Sequence, residues 1–256
     1  MLRILFPRMT GKKILCVDLG NSFVHWGVLD ACSFKVLARG DFVSSLKNMS
    51  SLPFKKADCA VYCSVVPRLN SPLEKIFKKT ALPFVRLTEK NFPLPICYDT
   101  PRTLGHDRLA LCLGALALKK KKAIVVDAGT AVTVDGVDMR KGFLGGFIAP
   151  GLGLMLESLH TRTAQLPRVK PAGIVHPQLP GKTTAQAIGR GAALSFRGGV
   201  GEMVCSLQKI MGKNTPVIVT GRGAEFLGKR PVHTRDGDLL LKGLAFFARQ
   251  QSFQNR

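Results

Sequence analysis

Three aspartates stand where a carboxylate could do chemistry: Asp18 in VDLGNS, Asp107 in LGHDRL and Asp127 in VDAGTA. The first and third belong to one phrase written twice. Each follows an apolar run, ILCV or AIVV, and precedes a strand-like run, FVHWGVLD or AVTVDGVD. The repeated unit reads as strand, acidic tight turn, strand, which points to a duplicated fold. A turn between strands can aim backbone N–H groups at an anion. Gly20 and Gly129 let that backbone come close, and Asn21, Ser22 and Thr130 add short donors. A carboxylate suits such a place when magnesium bridges it to phosphate oxygens. Taken singly, either copy is an ordinary hairpin turn; the matched strand contexts favour two loops that clamp a nucleotide triphosphate. Asp107 follows Gly105 at a helix start, where a carboxylate can take the proton of a hydroxyl. The neighbouring Arg108 can bind carboxylate or phosphate through paired hydrogen bonds. Alone, that pair reads equally as an exposed ion pair on a helix N-terminus.

Apolar periodicity predicts the elements that position these residues. A buried strand over 13–18 is followed by a hairpin partner over 22–30, a third strand over 33–39 and a buried strand over 57–66. A helix over 71–79, a strand over 84–87, a proline-rich extended connection over 91–103 and a helix from Gly105 complete the first half. The second half repeats the opening with strands over 123–127, 131–138 and 143–148. A helix over 152–164, a proline-rich loop over 167–181, a long helix over 184–211, a strand over 217–220 and a closing helix over 238–250 follow. Gly189, Gly191, Gly198, Gly199 and Gly201 lie on the long helix and suggest close backbone packing. The natural division is 13–120 and 121–250, with 1–12 as a flexible N-terminal extension.

The chain has 256 residues, 46% of them apolar and 21% charged, which places it among globular proteins. The longest apolar stretch, GFLGGFIAPGLGLMLESL, is interrupted by glycines and Pro150 and is a poor membrane span. The N-terminus lacks the pattern of a secretory signal. Seven cysteines with no CxxC pair read as reduced thiols in a cytoplasmic protein. The five histidines have no metal-ligand spacing, and His25 falls inside a strand-like run. Net charge is +22, which suggests anionic partners, yet aromatic residues are only 7% and no nucleic-acid-binding pattern appears. The run Lys119–Lys122 reads as a solvated helix end. GKTT at 181–184 mimics the end of a P-loop, but the position requiring the first glycine is His176, and Pro177 and Pro180 intervene.

In order, DLGNS, YxxPxxxGxDR, VVDAGTAVTVD, GGFIAPG, LPRV and GKTTAQAI resemble the motifs of type III pantothenate kinases from Lys13 to about Phe247. The resemblance implies an α/β, duplicated actin-like/sugar-kinase ATPase fold, with ribonuclease H-like halves and mixed sheets flanked by helices. It also implies a homodimer that phosphorylates pantothenate with ATP, using magnesium and a monovalent cation, potassium or ammonium. Carried over by position, Asp18, Leu19, Gly20, Asn21, Ser22, Phe23, Val24 and His25 form the first phosphate loop, with Asp18 near magnesium. Thr130 meets ATP, Asp127 holds the monovalent cation and Asp107 is the general base. Tyr98, Gly105, His106, Asp107, Arg108 and Thr184 line the pantothenate site. Three positions depart from the family pattern: Ser22 replaces a threonine, His106 a small or aliphatic residue, and Arg222 the second glycine of a TGG phrase. The alternative is a non-catalytic regulatory or nucleic-acid-binding protein on the same scaffold, to which the basic charge lends some weight. Intact Asp18, Asp107 and Asp127 favour the enzyme, with no membrane or nucleic-acid partner expected.

Overall fold

The computed structural model describes residues 11–174, 179–228 and 234–251. Among these described residues ten strands and five α-helices follow in chain order: β1 (Lys13–Leu19), β2 (Phe23–Asp30), β3 (Val36–Val43), β4 (Cys59–Ser64), α1 (Pro67–Lys79), β5 (Phe84–Arg86), α2 (His106–Ala117), β6 (Lys122–Ala128), β7 (Ala131–Asp138), β8 (Gly142–Pro150), α3 (Leu152–Thr161), α4 (Thr184–Met211), β9 (Val217–Thr220), β10 (Thr234–Arg235) and α5 (Leu239–Gln250). The strands form two five-stranded sheets, ordered β3-β2-β1-β4-β5 and β10-β9-β6-β7-β8. Reversed, the second order matches the first element for element. In both, the leading strand pairs in parallel with the strand beyond it, β1 with β4 and β6 with β9. The doubled phrase in the sequence thus corresponds to a doubled sheet.

The compact units do not follow a linear cut at 120/121 throughout. One unit holds the described residues up to Lys121, together with Asp138–Phe143 and the segment from Asp238; the other holds Lys122–Val137 and Leu144–Gly237. Helix α5 therefore belongs with the first sheet. A Cβ on Gly243 would meet the Ala110 carbonyl oxygen at 1.8 Å, and one on Gly114 would meet the Leu239 carbonyl oxygen at 2.1 Å. Two helices pass this closely only where both backbones are bare. Arg39 on β3 also pairs with Asp238 at the start of α5, at 2.6 Å. The first core is built around Leu15, Val17, Tyr62, Leu73 and Phe77. The second is built around Val126, Val134, Phe196, Val204 and Val219.

Several boundaries move for local reasons. The third strand starts at Val36 rather than at 33 because the Asp30 carboxylate accepts from Ser33 N and Ser33 Oγ, both at 2.7 Å, and from Cys32 N at 3.2 Å. Those bonds fold the preceding residues into an Asx-type turn. Helix α3 stops at Thr161. The short strand β10 has no apolar periodicity to mark it in the sequence. The glycines of α4 do not line a packed seam within the chain: added Cβ atoms on Gly191, Gly198 and Gly201 would meet nothing within 4 Å, and only Gly189 is closely covered, by Ile174 and Val169. Lys119 lies just past α2 with φ 60°, and Lys122 donates through Nζ to the Met211 carbonyl at the end of α4. That basic run is therefore partly engaged rather than wholly solvated. Lys12 already bonds to Ala31, whereas the rest of the expected N-terminal extension, and residues 175–178 of the proline-rich loop, lie outside the described residues. Among the described residues no helix is long and apolar enough to cross a membrane.

Candidate active site

Asp18 is the penultimate residue of β1, the central strand of the first sheet. Its register sets it opposite His25 on β2 and Cys63 on β4. The residue is only 7% exposed. The Cys63 thiol donates to Asp18 Oδ1 at 3.4 Å. Burial pushes that thiol well up, and the carboxylates of Asp18 and Asp107 push it further, so it stays protonated and able to donate. Asp18 and Asp107 thus act on the same buried sulfur in the first unit. Beyond Asp18, the turn is tight: Gly20 N bonds to Phe23 O at 3.1 Å, and a Cβ on Gly20 would meet that oxygen at 2.7 Å. Asn21 and Ser22 are left exposed at the tip.

Asp107 is the second residue of α2 and is partly buried. Gly105 makes room for it, since a Cβ there would meet Asp107 Oδ1 at 2.4 Å. That oxygen accepts from Arg108 N at 2.8 Å. Burial still dominates and pushes the carboxyl above its ordinary range; the Arg108 N–H, the Arg108 charge and His106 only partly offset this. A carboxylate raised in this way is a stronger proton acceptor. Arg108 is 4% exposed, with its guanidinium carbon 5.4 Å from the Phe143 ring centre and 5.9 Å from that of Tyr98. The segment bearing Tyr98 is fixed by two backbone bonds, Cys97 N to Phe143 O and Phe143 N to Pro95 O. His106 Nε2 lies 3.0 Å from Glu89 Oε2, and this contact holds the Glu89 carboxyl below its usual range.

The second unit repeats the strand register of the first, with Thr220 at the position of Cys63. Asp127 on β6 is in register with Thr220 on β9, as Asp18 is with Cys63. Gly129 N bonds to Ala131 O at 3.1 Å in the turn, and Thr130 is exposed beside it. Gly221 has φ 85°, and a Cβ there would meet the Ala128 carbonyl and Asp127 Oδ1, each at 2.6 Å. Gly223 also approaches Ala128, while Arg222 between them is exposed and has no left-handed φ. The departure at Arg222 therefore leaves the backbone of this turn intact. The GKTT phrase is a helix cap rather than a P-loop: Thr183 Oγ1 accepts from Gln186 N at 3.2 Å, and Gln186 Oε1 accepts from Lys182 N at 3.0 Å. Arg190 donates to the Pro180 carbonyl at 2.6 Å. This reciprocal cap holds Thr184 at the first turn of α4.

The structure gathers Asp18, Asp107, Tyr98, Gly105, His106 and Arg108 into the first unit. Asp127 and Thr130 share one hairpin of the second, which also carries Thr184. Cys63 and Glu89 touch these residues and were not anticipated. Cys63 could have been found by noting that it ends a buried strand as Asp18 does; Glu89 has no comparable signal. Among the described residues no group of three or more His, Cys, Asp or Glu side chains could hold a metal ion.

Two sheets of matching strand order, each with an aspartate at the end of its leading strand, define a duplicated actin-like/sugar-kinase ATPase fold. A conserved Campylobacter jejuni protein assigned to the Baf family of transcriptional activators has a similar fold, with TM-score 0.60 and 23% identity over 91% of this chain and 96% of that one. The ethanolamine utilization protein EutJ from Carboxydothermus hydrogenoformans also resembles it, with TM-score 0.51 and 16% identity over 96% and 94% of the two chains. In sequence, the chain is 32% identical to a type III pantothenate kinase of Brevibacillus brevis over 93% of its own length and 100% of that protein's. It is 34% identical to one from Pelobacter propionicus over 90% and 96%. The type III pantothenate kinase family profile matches residues 14–206, and the chain belongs to that family. The nucleic-acid-binding or regulatory alternative is accordingly not favoured.

Proposed function

We propose that the protein transfers the γ-phosphoryl group of ATP to the primary hydroxyl of pantothenate, the first step towards coenzyme A. The observation that carries this reading, beside the family match, is the pair of carboxylates around Cys63: Asp18 at a phosphate-type turn and Asp107, raised by burial, at a helix start. In the proposed step Asp107 accepts the hydroxyl proton as the alcohol oxygen bonds to the γ-phosphorus. The bond from that phosphorus to the bridging oxygen breaks, and ADP leaves. The Arg108 N–H on Asp107 Oδ1 fixes the carboxylate's direction. Asn21, Ser22 and Thr130 offer short donors to phosphate oxygens at the two turns. Tyr98, Gly105 and Arg108 form the acceptor side within the first unit.

The donor chemistry suits the expected cations, because Asp18 and Asp127 each supply a hard carboxylate oxygen. Magnesium ordinarily takes one or two carboxylates and completes its shell with phosphates and water. Asp18 would hold magnesium and Asp127 the potassium or ammonium ion; when bound, these ions would neutralise charge on the transferring phosphoryl group. A homodimer in the cytoplasm belongs to the same reading. Support for the dimer comes from one bare face of α4, where Leu194 is exposed and Gly191 and Gly198 have open space above them. The test is a coupled assay of ADP release with and without pantothenate. Wild type turns over only with pantothenate, and Asp107→Asn retains ATP binding while losing about 10²–10⁴-fold in kcat. Pantothenate-independent turnover, or an active Asn variant, contradicts the assignment.

A further inference from the structure

Resting on the reading of Asp18 as the magnesium-holding carboxylate, we infer that Cys63 is a positioning residue: its buried thiol holds Asp18 Oδ1 and so keeps Oδ2 toward the Gly20 turn, where the phosphates of ATP would lie. A buried cysteine usually serves as a small apolar filler. Three observations set Cys63 apart. Its thiol donates to Asp18 Oδ1 at 3.4 Å. The other oxygen of that carboxylate borders the turn, since a Cβ on Gly20 would lie 3.9 Å from Asp18 Oδ2. Third, Cys63 lies off the first core. Ala60 and Tyr62 of β4 face that core together with Leu15, Val17 and Leu19 of β1. Alternation along each strand therefore sets Cys63 and Asp18 on the opposite face, where α2 and α5 pack against the sheet. Parallel register holds the two side by side there, both buried. The last torsion of an aspartate is broad and roughly twofold, so covalent geometry alone does not decide which oxygen meets a ligand. A donor fixed on the neighbouring strand decides it. Magnesium demands near-ideal octahedral geometry, so placement of that oxygen bears on its binding more than on the acceptor alcohol.

The test compares Cys63→Ala, Cys63→Ser and Cys59→Ala. Alanine removes the donor and serine keeps one. Cys59 opens the same strand on the same face, roughly 13 Å from Cys63, so its alanine variant removes the same volume away from Asp18. In Cys63→Ala the magnesium concentration for half-maximal turnover should rise about three- to tenfold, with KM for pantothenate unchanged. ATP binding followed by calorimetry at limiting magnesium should weaken by the same factor. Serine should recover most of both, and Cys59→Ala should move neither. A spectroscopic arm uses wild type and does not depend on the alanine variant folding. The infrared S–H band of Cys63 is identified by its loss in Cys63→Ser. It should shift when magnesium and ATP are added, because Oδ1 becomes a weaker acceptor once Oδ2 shares its charge with the cation. An unmoved magnesium midpoint in Cys63→Ala, a serine variant as impaired as alanine, an equal effect of Cys59→Ala, or an S–H band indifferent to magnesium and ATP overturns the inference. If wild type binds magnesium and ATP without phosphorylating pantothenate, the proposed function falls, while calorimetry and the S–H band still decide the role of Cys63. Wild-type turnover with an unmoved midpoint in Cys63→Ala removes the role of Cys63 alone.

Discussion

Asp107 combines two properties that pull against each other, since a buried carboxylate resists ionising and a general base must be ionised. Burial raises its pKa above the ordinary value, so the acid limb of kcat/KM should lie above the usual carboxylate midpoint of about 4. A pH–rate profile measures this, and a limb at or below that value would exclude Asp107 as the base. The same shift has a stability consequence of fixed sign. A group whose folded pKa is raised contributes stability below its unfolded pKa and loses it as pH rises through the folded pKa. Asp107→Asn, which keeps an oxygen for the Arg108 N–H, should therefore melt no lower than wild type at pH 8, with any advantage shrinking towards pH 4. The repeat made Asp18 and Asp127 legible in the sequence; Asp107 stood out only through the family's motif order. Cys63 and Glu89 were not legible as neighbours of these groups. Strand register brings Cys63 to Asp18 across 45 positions, and Glu89 reaches His106 across a proline-rich connection.

The helix that carries Asp107 is seated by an element far along the chain. Bare backbones at Gly114 and Gly243 let α2 and α5 approach more closely than any side chain would allow. Gly243→Val should therefore cost about 1–3 kcal/mol or more by overpacking and should lower kcat as α2 shifts. Denaturant midpoints, together with kinetics on the folded fraction, check both effects. An unchanged midpoint would mean that the crossing can relax. The limits of α4 were legible because Thr183 caps its start and Gly212, with φ 100°, ends it. The partner of α5 was not legible, because an amphipathic period says which face is apolar and nothing about what covers it. Nor did the glycines of α4 reveal their surroundings, since an empty position and a crowded one are spelled alike.

Across the whole chain, 38 basic residues against 16 acidic ones set a positive field that both anionic substrates meet. If that field speeds encounter, kcat/KM for ATP and for pantothenate should fall as salt rises from low to physiological strength, while kcat changes little. A flat salt response would assign the charge no kinetic part. The doubled sheet was readable in outline from the repeated phrase, because each copy keeps its strand context. Membership of the two units was not, since the chain leaves the first sheet after α2 and returns to it at Asp238. That return fixes an order of events during translation. The base and its surroundings leave the ribosome early, yet the helix that seats them emerges only after the whole second unit has been made. A nascent chain halted before residue 238 would hold Asp18, Asp107 and Asp127 and still lack the support beneath α2. Competence should thus arrive late and abruptly, once α5 has emerged.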